Sequence, residues 1–167
     1  TQSQVWECVH RTTGIRRCVK IIDLEILTRA EREASRREIT LLRKVQGSPG
    51  IVKLRNVYMN RKTFVVMDLA AGGNLLSRVI QREGLQEDTV RSIAITLLYT
   101  IKGLLACNLC HNDLQPANVL LDPSNGFDQA VLIDFGRACA VGEALDLGAL
   151  HTSYTCPEIV NHNTCTP

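Results

Sequence analysis

The run His111-Asn112-Asp113-Leu114-Gln115-Pro116-Ala117-Asn118-Val119-Leu120-Leu121 constrains this chain more than any other stretch. Its companion is Leu132-Ile133-Asp134-Phe135-Gly136, with Asp134 sixteen positions past Asn118. In both pieces an acidic or amide side chain stands at the end of a short apolar run. Buried apolar residues would fix the backbone there, leaving Asp113, Asn118 and Asp134 at the rim of a core. Such an arrangement suits a site that holds a divalent metal and a hydroxyl beside a polyphosphate, because hard cations prefer oxygen ligands.

Composition excludes several other classes. Of the 167 residues, 45% are hydrophobic and 22% charged, which is ordinary for a soluble globular protein. No unbroken apolar run approaches the ~18 residues of a membrane span, so no membrane partner is expected. The seven cysteines are odd in number and scattered, which points to reduced thiols and a cytoplasmic or nuclear location. Cys107 and Cys110 form a C-x-x-C without a second pair at ligand spacing, so a structural role is expected. Lys and Arg outnumber Asp and Glu in residues 1–62, and the reverse holds in residues 63–167. Nothing aromatic or repetitive accompanies the basic half. It reads as a solvated helix beside an acidic lobe, with no nucleic-acid partner.

Taken in order, Val5–Val9 and Arg16–Ile22 read as strands joined by Arg11-Thr12-Thr13-Gly14, where glycine permits positive φ. Thr28-Arg29-Ala30-Glu31 fits a capping box that opens a helix to about Val45, with Ile39 and Leu42 on its inward face and Glu38 at the edge. Gly47-Ser48-Pro49-Gly50 ends it. Residues Ile51–Tyr58 and Thr63–Leu69 read as a hairpin turning at Asn60-Arg61-Lys62. A long amphipathic helix follows from Glu87 to Ala106, carrying Val90, Ile93, Leu97, Ile101, Leu104 and Leu105.

The spacing H-x-D-L-x-x-x-N followed by D-F-G resembles the catalytic domain of the eukaryotic protein kinases. The resemblance implies an α+β, bilobal, protein kinase-like fold. Residues 1–69 would form an N-lobe with an antiparallel sheet and one helix, and residues 70–167 the first part of a mainly helical C-lobe. A chain that starts on Thr1 and stops on Pro167 is expected to be a truncated kinase domain.

The resemblance also implies roles. Asp113 would accept the proton of an attacking hydroxyl on a protein substrate, and Asn118 and Asp134 would hold Mg²⁺. Lys20, in Arg17-Cys18-Val19-Lys20-Ile21, would meet the α and β phosphates of ATP and pair with Glu38. Ser3-Gln4-Val5 would be the tail of a glycine-rich phosphate loop, with Ser3 where its last glycine would stand. Val5, Cys18 and Leu120 would line the nucleotide cleft, and Met67 would guard its back. The backbone from Asp68 to Ala70 would bond the adenine edge, with Asn74 on the ribose. His111 and Phe135 would stack with Leu42 and Leu54. Tyr154-Thr155-Cys156-Pro157-Glu158 resembles the end of an activation segment. No oligomeric state is implied.

Three positions depart from the family pattern. Asn112 replaces an Arg that often pairs with an activation-loop phosphate. Gln115 replaces the Lys that contacts the γ-phosphate in Ser/Thr kinases, so it takes a catalytic position without a charge. His151 stands in a Thr place, with Leu150 in a Gly place. The implied function is Ser/Thr-directed transfer of the γ-phosphate of Mg-ATP to a protein, weakened by these changes. The alternatives are a pseudokinase that binds nucleotide or scaffolds, and a small-molecule phosphotransferase, which the Tyr154–Glu158 segment opposes. A chain lacking the later kinase helices is expected to expose apolar surface around Leu97–Leu105.

Overall fold

The computed structural model describes residues 3–81, 84–123, 129–144, 154–155 and 157–162. Four strands open the chain in an antiparallel sheet of order β1-β2-β4-β3: β1 (Ser3–Val9), β2 (Arg16–Asp23), β3 (Leu54–Met59) and β4 (Lys62–Asp68). The β1–β2 loop contains Gly14 at φ +69°, a left-handed conformation that glycine adopts without a Cβ penalty. The helix α1 (Arg29–Lys44) lies between β2 and β3 in the chain. Thr28 caps it: its hydroxyl accepts from the Glu31 amide while the Glu31 carboxylate accepts from the Thr28 amide, so two otherwise orphaned donors are satisfied. Ile39 and Leu42 face inward as their spacing predicts, and Ile39 packs with Ile22, Leu27 and Val65 beneath the sheet.

The second half is mainly helical. It contains α2 (Leu75–Gln81), α3 (Glu87–Ala106) and α4 (Pro157–His162), with two short antiparallel ribbons. One ribbon pairs β5 (Leu109–Cys110) with β8 (Cys139–Ala140), and the other pairs β6 (Val119–Asp122) with β7 (Gln129–Leu132). Neither α2 nor the ribbons are expected from the sequence, because elements of two to seven residues carry too little periodicity to stand out. The β6–β7 ribbon packs on α3, and Val119, Leu121, Ala130 and Leu132 sit in one core with Ile93 and Leu104.

Two sequence expectations are corrected. The third strand begins at Leu54 rather than Ile51, because Ile51 bridges Leu132 in parallel instead of joining the hairpin. In addition, α3 is long and apolar enough by length and composition to cross a membrane, with a mean hydropathy of 1.3 over an 18-residue window.

Only Ile93, Thr100 and Leu104 of α3 are fully buried. Ile95, Leu98 and Tyr99 form an outward apolar stripe at helical spacing, exposed by 48%, 67% and 60%. Contiguous apolar surface of this kind favours association. The 167-residue chain taken alone is therefore expected to bind a hydrophobic-surface dye, and the double change Leu98→Lys, Tyr99→Lys should reduce the signal strongly. A chain that melts sharply and binds no dye would contradict this.

Candidate active site

Asp113 sits at the centre of a small hydrogen-bond hub in the loop after β5. The Asn118 side-chain amide donates to Asp113 Oδ2 at 2.8 Å and to its backbone carbonyl at 2.9 Å. The Gln115 amide donates to Oδ1 at 2.9 Å, and Arg137 Nη1 approaches the same oxygen at 3.4 Å. A 3₁₀ turn at Pro116–Asn118, with proline in its first position, returns Asn118 to the aspartate five residues before it. The carboxylate is held in one orientation.

His111 is 6% exposed and anchors the loop from beneath. Its Nδ1 accepts from the Asp113 amide at 3.3 Å, and its Nε2 lies 3.0 Å from the Ile133 carbonyl. An amide always donates and a carbonyl always accepts, so both bonds are satisfied by the neutral ring protonated on Nε2. Burial pushes its pKa below the ordinary value of 6.5. The ring meets Phe135 edge-on at 5.1 Å, and Phe135 shares a core with Leu42 and Leu54. The histidine packs and positions; the structure does not aim it at the cleft.

Asp134 follows β7 with φ +65°, and Asn112 has φ +57°. Asp and Asn tolerate this region better than other residues with side chains, though strain of this kind costs roughly 1–3 kcal/mol and collects at functional sites. The Gly136 amide donates to Asp134 Oδ1 at 3.1 Å and closes the turn locally. The Ile133 amide donates to the Asn118 carbonyl at 3.0 Å, so the two candidate metal-holding residues belong to tied segments. Asn118 spends its amide hydrogens on Asp113, which leaves its side-chain oxygen as the ligand atom. One amide oxygen and one carboxylate fit Mg²⁺, which keeps several waters and shares phosphate oxygens. Among the described residues, no three His, Cys, Asp or Glu side chains form a metal cluster, so a softer metal has no ready site.

The upper wall comes from the sheet. In the ladder Val5 opposes Lys20, Val65 opposes Lys20 from the other side, and Met67 opposes Cys18. Directly opposed residues share a face, and so do residues two apart in one strand, so Val5, Cys18, Lys20 and Met67 line one face together. Lys20 Nζ meets Glu38 Oε1 at 2.6 Å, with side chains only 13% and 12% exposed. Burial raises the pKa of the Cys18 thiol, which keeps it protonated and apolar in character.

The connection between halves narrows two expectations. The Asp68 amide donates to the Lys53 carbonyl at 2.9 Å, so it is spent within the protein. Its carboxylate binds Arg55 and Arg17, and the Arg55 bonds hold its pKa below the usual range. Of the groups expected to meet an adenine edge, the Asp68 amide is thus already bonded within the protein. Asn74 Oδ1 accepts from the Ser77 amide at 2.8 Å and caps α2, so its oxygen serves the helix. Gly72 lies against β6, where a Cβ would come within 2.5 Å of the Leu121 carbonyl. This approach sets Leu120 beneath the connection, bridged to Asn74, while its neighbours Val119 and Leu121 face the core.

Sequence reasoning misses two features. Arg137, the residue after Asp134-Phe135-Gly136, meets Asp113 from 24 positions away. Arg37 of α1 grips both carboxylate oxygens of Glu143, at 2.5 and 2.6 Å, and these bonds hold the Glu143 pKa down. No local pattern announces either pair. Leu150, His151 and Cys156 lie outside the described residues, as does the side chain of Glu158.

The Lys20–Glu38 pair and the group of Asp113, Asn118 and Asp134 are the side chains that the sequence motifs single out, each held by bonds of its own. The family model "Protein kinase domain" matches residues 1–167. The chain is 38% identical to the human phosphorylase b kinase gamma catalytic chain, liver/testis isoform, covering 95% of this chain and 40% of that protein. Its Mus musculus counterpart matches to the same extent. The ribosomal protein S6 kinase 2 alpha of Xenopus laevis is 33% identical over 78% of this chain and 17% of its own length. The chain belongs to the protein kinase family, and spans 40% of the length of the phosphorylase kinase chains that it matches.

The depressed pKa of His111 has a consequence for stability. The folded ring resists a proton that the unfolded ring accepts, so folding stability is fully present above about pH 6.5 and falls as pH drops below it. An NMR titration should find the His111 ring still neutral at pH 6.5, with the denaturant midpoint declining on further acidification. A ring that titrates at or above 6.5 would contradict the burial argument.

Proposed function

We propose that this protein is an ATP-dependent phosphotransferase that moves the γ-phosphate of Mg-ATP to a Ser or Thr hydroxyl of a protein. The observation that carries this reading is the Asp113 carboxylate, fixed by Asn118 on one oxygen and by Gln115 on the other. A base aimed in one direction is what proton removal from a bound hydroxyl requires. Lys20, braced by Glu38, is set to take the α and β phosphates, while Cys18, Met67 and Leu120 offer apolar surface to a purine. Mg²⁺ held by Asn118 and Asp134 would offset the phosphate charge. The Ser/Thr direction rests on the family resemblance and the kinase relatives, since Gln115 is not the usual marker. We place the boundary between the lobes at residues 69–70, and the protein in the cytoplasm or nucleus.

The test is transfer of labelled γ-phosphate from Mg-ATP to a generic Ser/Thr-containing protein. Asp113→Asn keeps the shape of the side chain but removes the base. Transfer is expected to fall by about 10²–10⁴-fold in this variant, the usual contribution of a general base. A folded wild-type protein that binds ATP and transfers nothing would overturn the reading and leave a nucleotide-binding module.

A further inference from the structure

Four donors, from Asn118, Gln115 and Arg137, close on Asp113, and only the Arg137 guanidinium carries charge. Its side chain is 35% exposed, against 12% for Asp113, so it stands at the mouth of the site rather than inside it. The carboxylate contact is long at 3.4 Å and runs through Nη1. Meanwhile the Asn112 side-chain amide donates to the Arg137 carbonyl at 3.3 Å, and the same nitrogen lies 2.9 Å from Cys139 Sγ. The backbone of Arg137 is thus tied to the residue beside the base while its guanidinium is held lightly. Two other cations among the described residues are committed elsewhere: Lys20 to Glu38 at 2.6 Å, and Arg37 to Glu143.

We propose that Arg137 is a further catalytic residue, whose guanidinium meets the γ-phosphate and supplies, from beyond the Asp134 turn, the positive charge that Gln115 lacks. The inference rests on the phosphotransferase reading. In the transfer step the substrate hydroxyl oxygen forms a bond to the γ-phosphorus. The bond to the bridging oxygen breaks, its electron pair leaves on ADP, and the hydroxyl proton passes to the Asp113 carboxylate. Negative charge spread over the equatorial phosphate oxygens is what a planar guanidinium with paired N–H donors can hold. Gln115 offers one neutral donor at the same carboxylate oxygen, so it orients the base and leaves the charge uncompensated. Arg137 lies three positions after Asp134, and its guanidinium reaches the carboxylate of Asp113.

The experiment compares wild type, Arg137→Ala, Arg137→Lys, Asp113→Asn and the double variant Gln115→Lys/Arg137→Ala. It measures steady-state transfer and the equilibrium affinities for ATP and ADP. Arg137→Ala is expected to lower kcat by about 10²–10³-fold, as loss of one charge-stabilising donor does elsewhere. Its ATP affinity should fall while its ADP affinity holds, because only ATP has the γ-phosphate. Arg137→Lys should retain most of the rate, and Gln115→Lys should restore it to the alanine variant by returning a cation from the other side. An Arg137→Ala protein with wild-type kcat, beside an inactive Asp113→Asn, would overturn the inference alone. Equal losses for ATP and ADP, with no rescue by Gln115→Lys, would show a structural role and overturn it as well. A wild-type protein that transfers nothing overturns the phosphotransferase reading, and the ATP-to-ADP affinity ratio then decides whether Arg137 meets a γ-phosphate at all.

Discussion

The backbone of Leu132 and Ile133 is the junction on which the rest depends. Leu132 is fully buried; its amide donates to the Gly50 carbonyl at 2.7 Å and its carbonyl accepts from Val52 at 3.1 Å. One residue later, the Ile133 amide donates to Asn118 and its carbonyl accepts from His111. Two consecutive residues therefore clamp the segment entering β3, Asn118 and the loop bearing Asp113. Asp134 comes next, so its place is set by bonds made before it. Buried backbone groups without partners cost about 1–3 kcal/mol each, which makes such a junction hard to shift piecemeal.

The upper half is tied to this junction through α1. Gln46, just past its end, bonds the carbonyls of Leu42 and Val52 and accepts from the Leu54 amide, joining the helix to the entry of β3. The same helix carries Glu38 to Lys20 and Arg37 to Glu143. A nearly buried ion pair gives little net stability, because desolvation offsets the attraction, whereas losing one partner costs about 3–5 kcal/mol. The Lys20–Glu38 pair therefore acts as a geometric check: lysine keeps this partner only while the helix is in place. The Arg37–Glu143 pair extends that check to the segment beyond Asp134.

The parts legible in the sequence were those with local causes. The capping box at Thr28 and the helical spacing of Ile39 and Leu42 are visible without coordinates, while the pairing of Lys20 with Glu38 comes only from the family resemblance. The residues of the hub at Asp113 were visible as a motif, and their mutual bonds follow from a single 3₁₀ turn. What escaped were pairs of high sequence separation, such as Arg137 with Asp113 and Arg37 with Glu143, where neither residue has a neighbour that signals its partner. The strand boundary at Ile51 escaped for a related reason: an apolar run reads as a strand whether it joins a hairpin or, as here, bridges Leu132.

The central claim is that one cleft brings the phosphates of Mg-ATP between Lys20 above and Asn118 and Asp134 below, with the γ-phosphate turned toward Asp113. A crystal structure of the protein with Mg²⁺ and a non-hydrolysable ATP analogue tests it most directly. The account predicts a triphosphate in that position, with metal on the oxygens of Asn118 and Asp134 and the purine between Cys18 and Leu120. A nucleotide bound elsewhere, or one whose phosphates point away from Asp134, would contradict it.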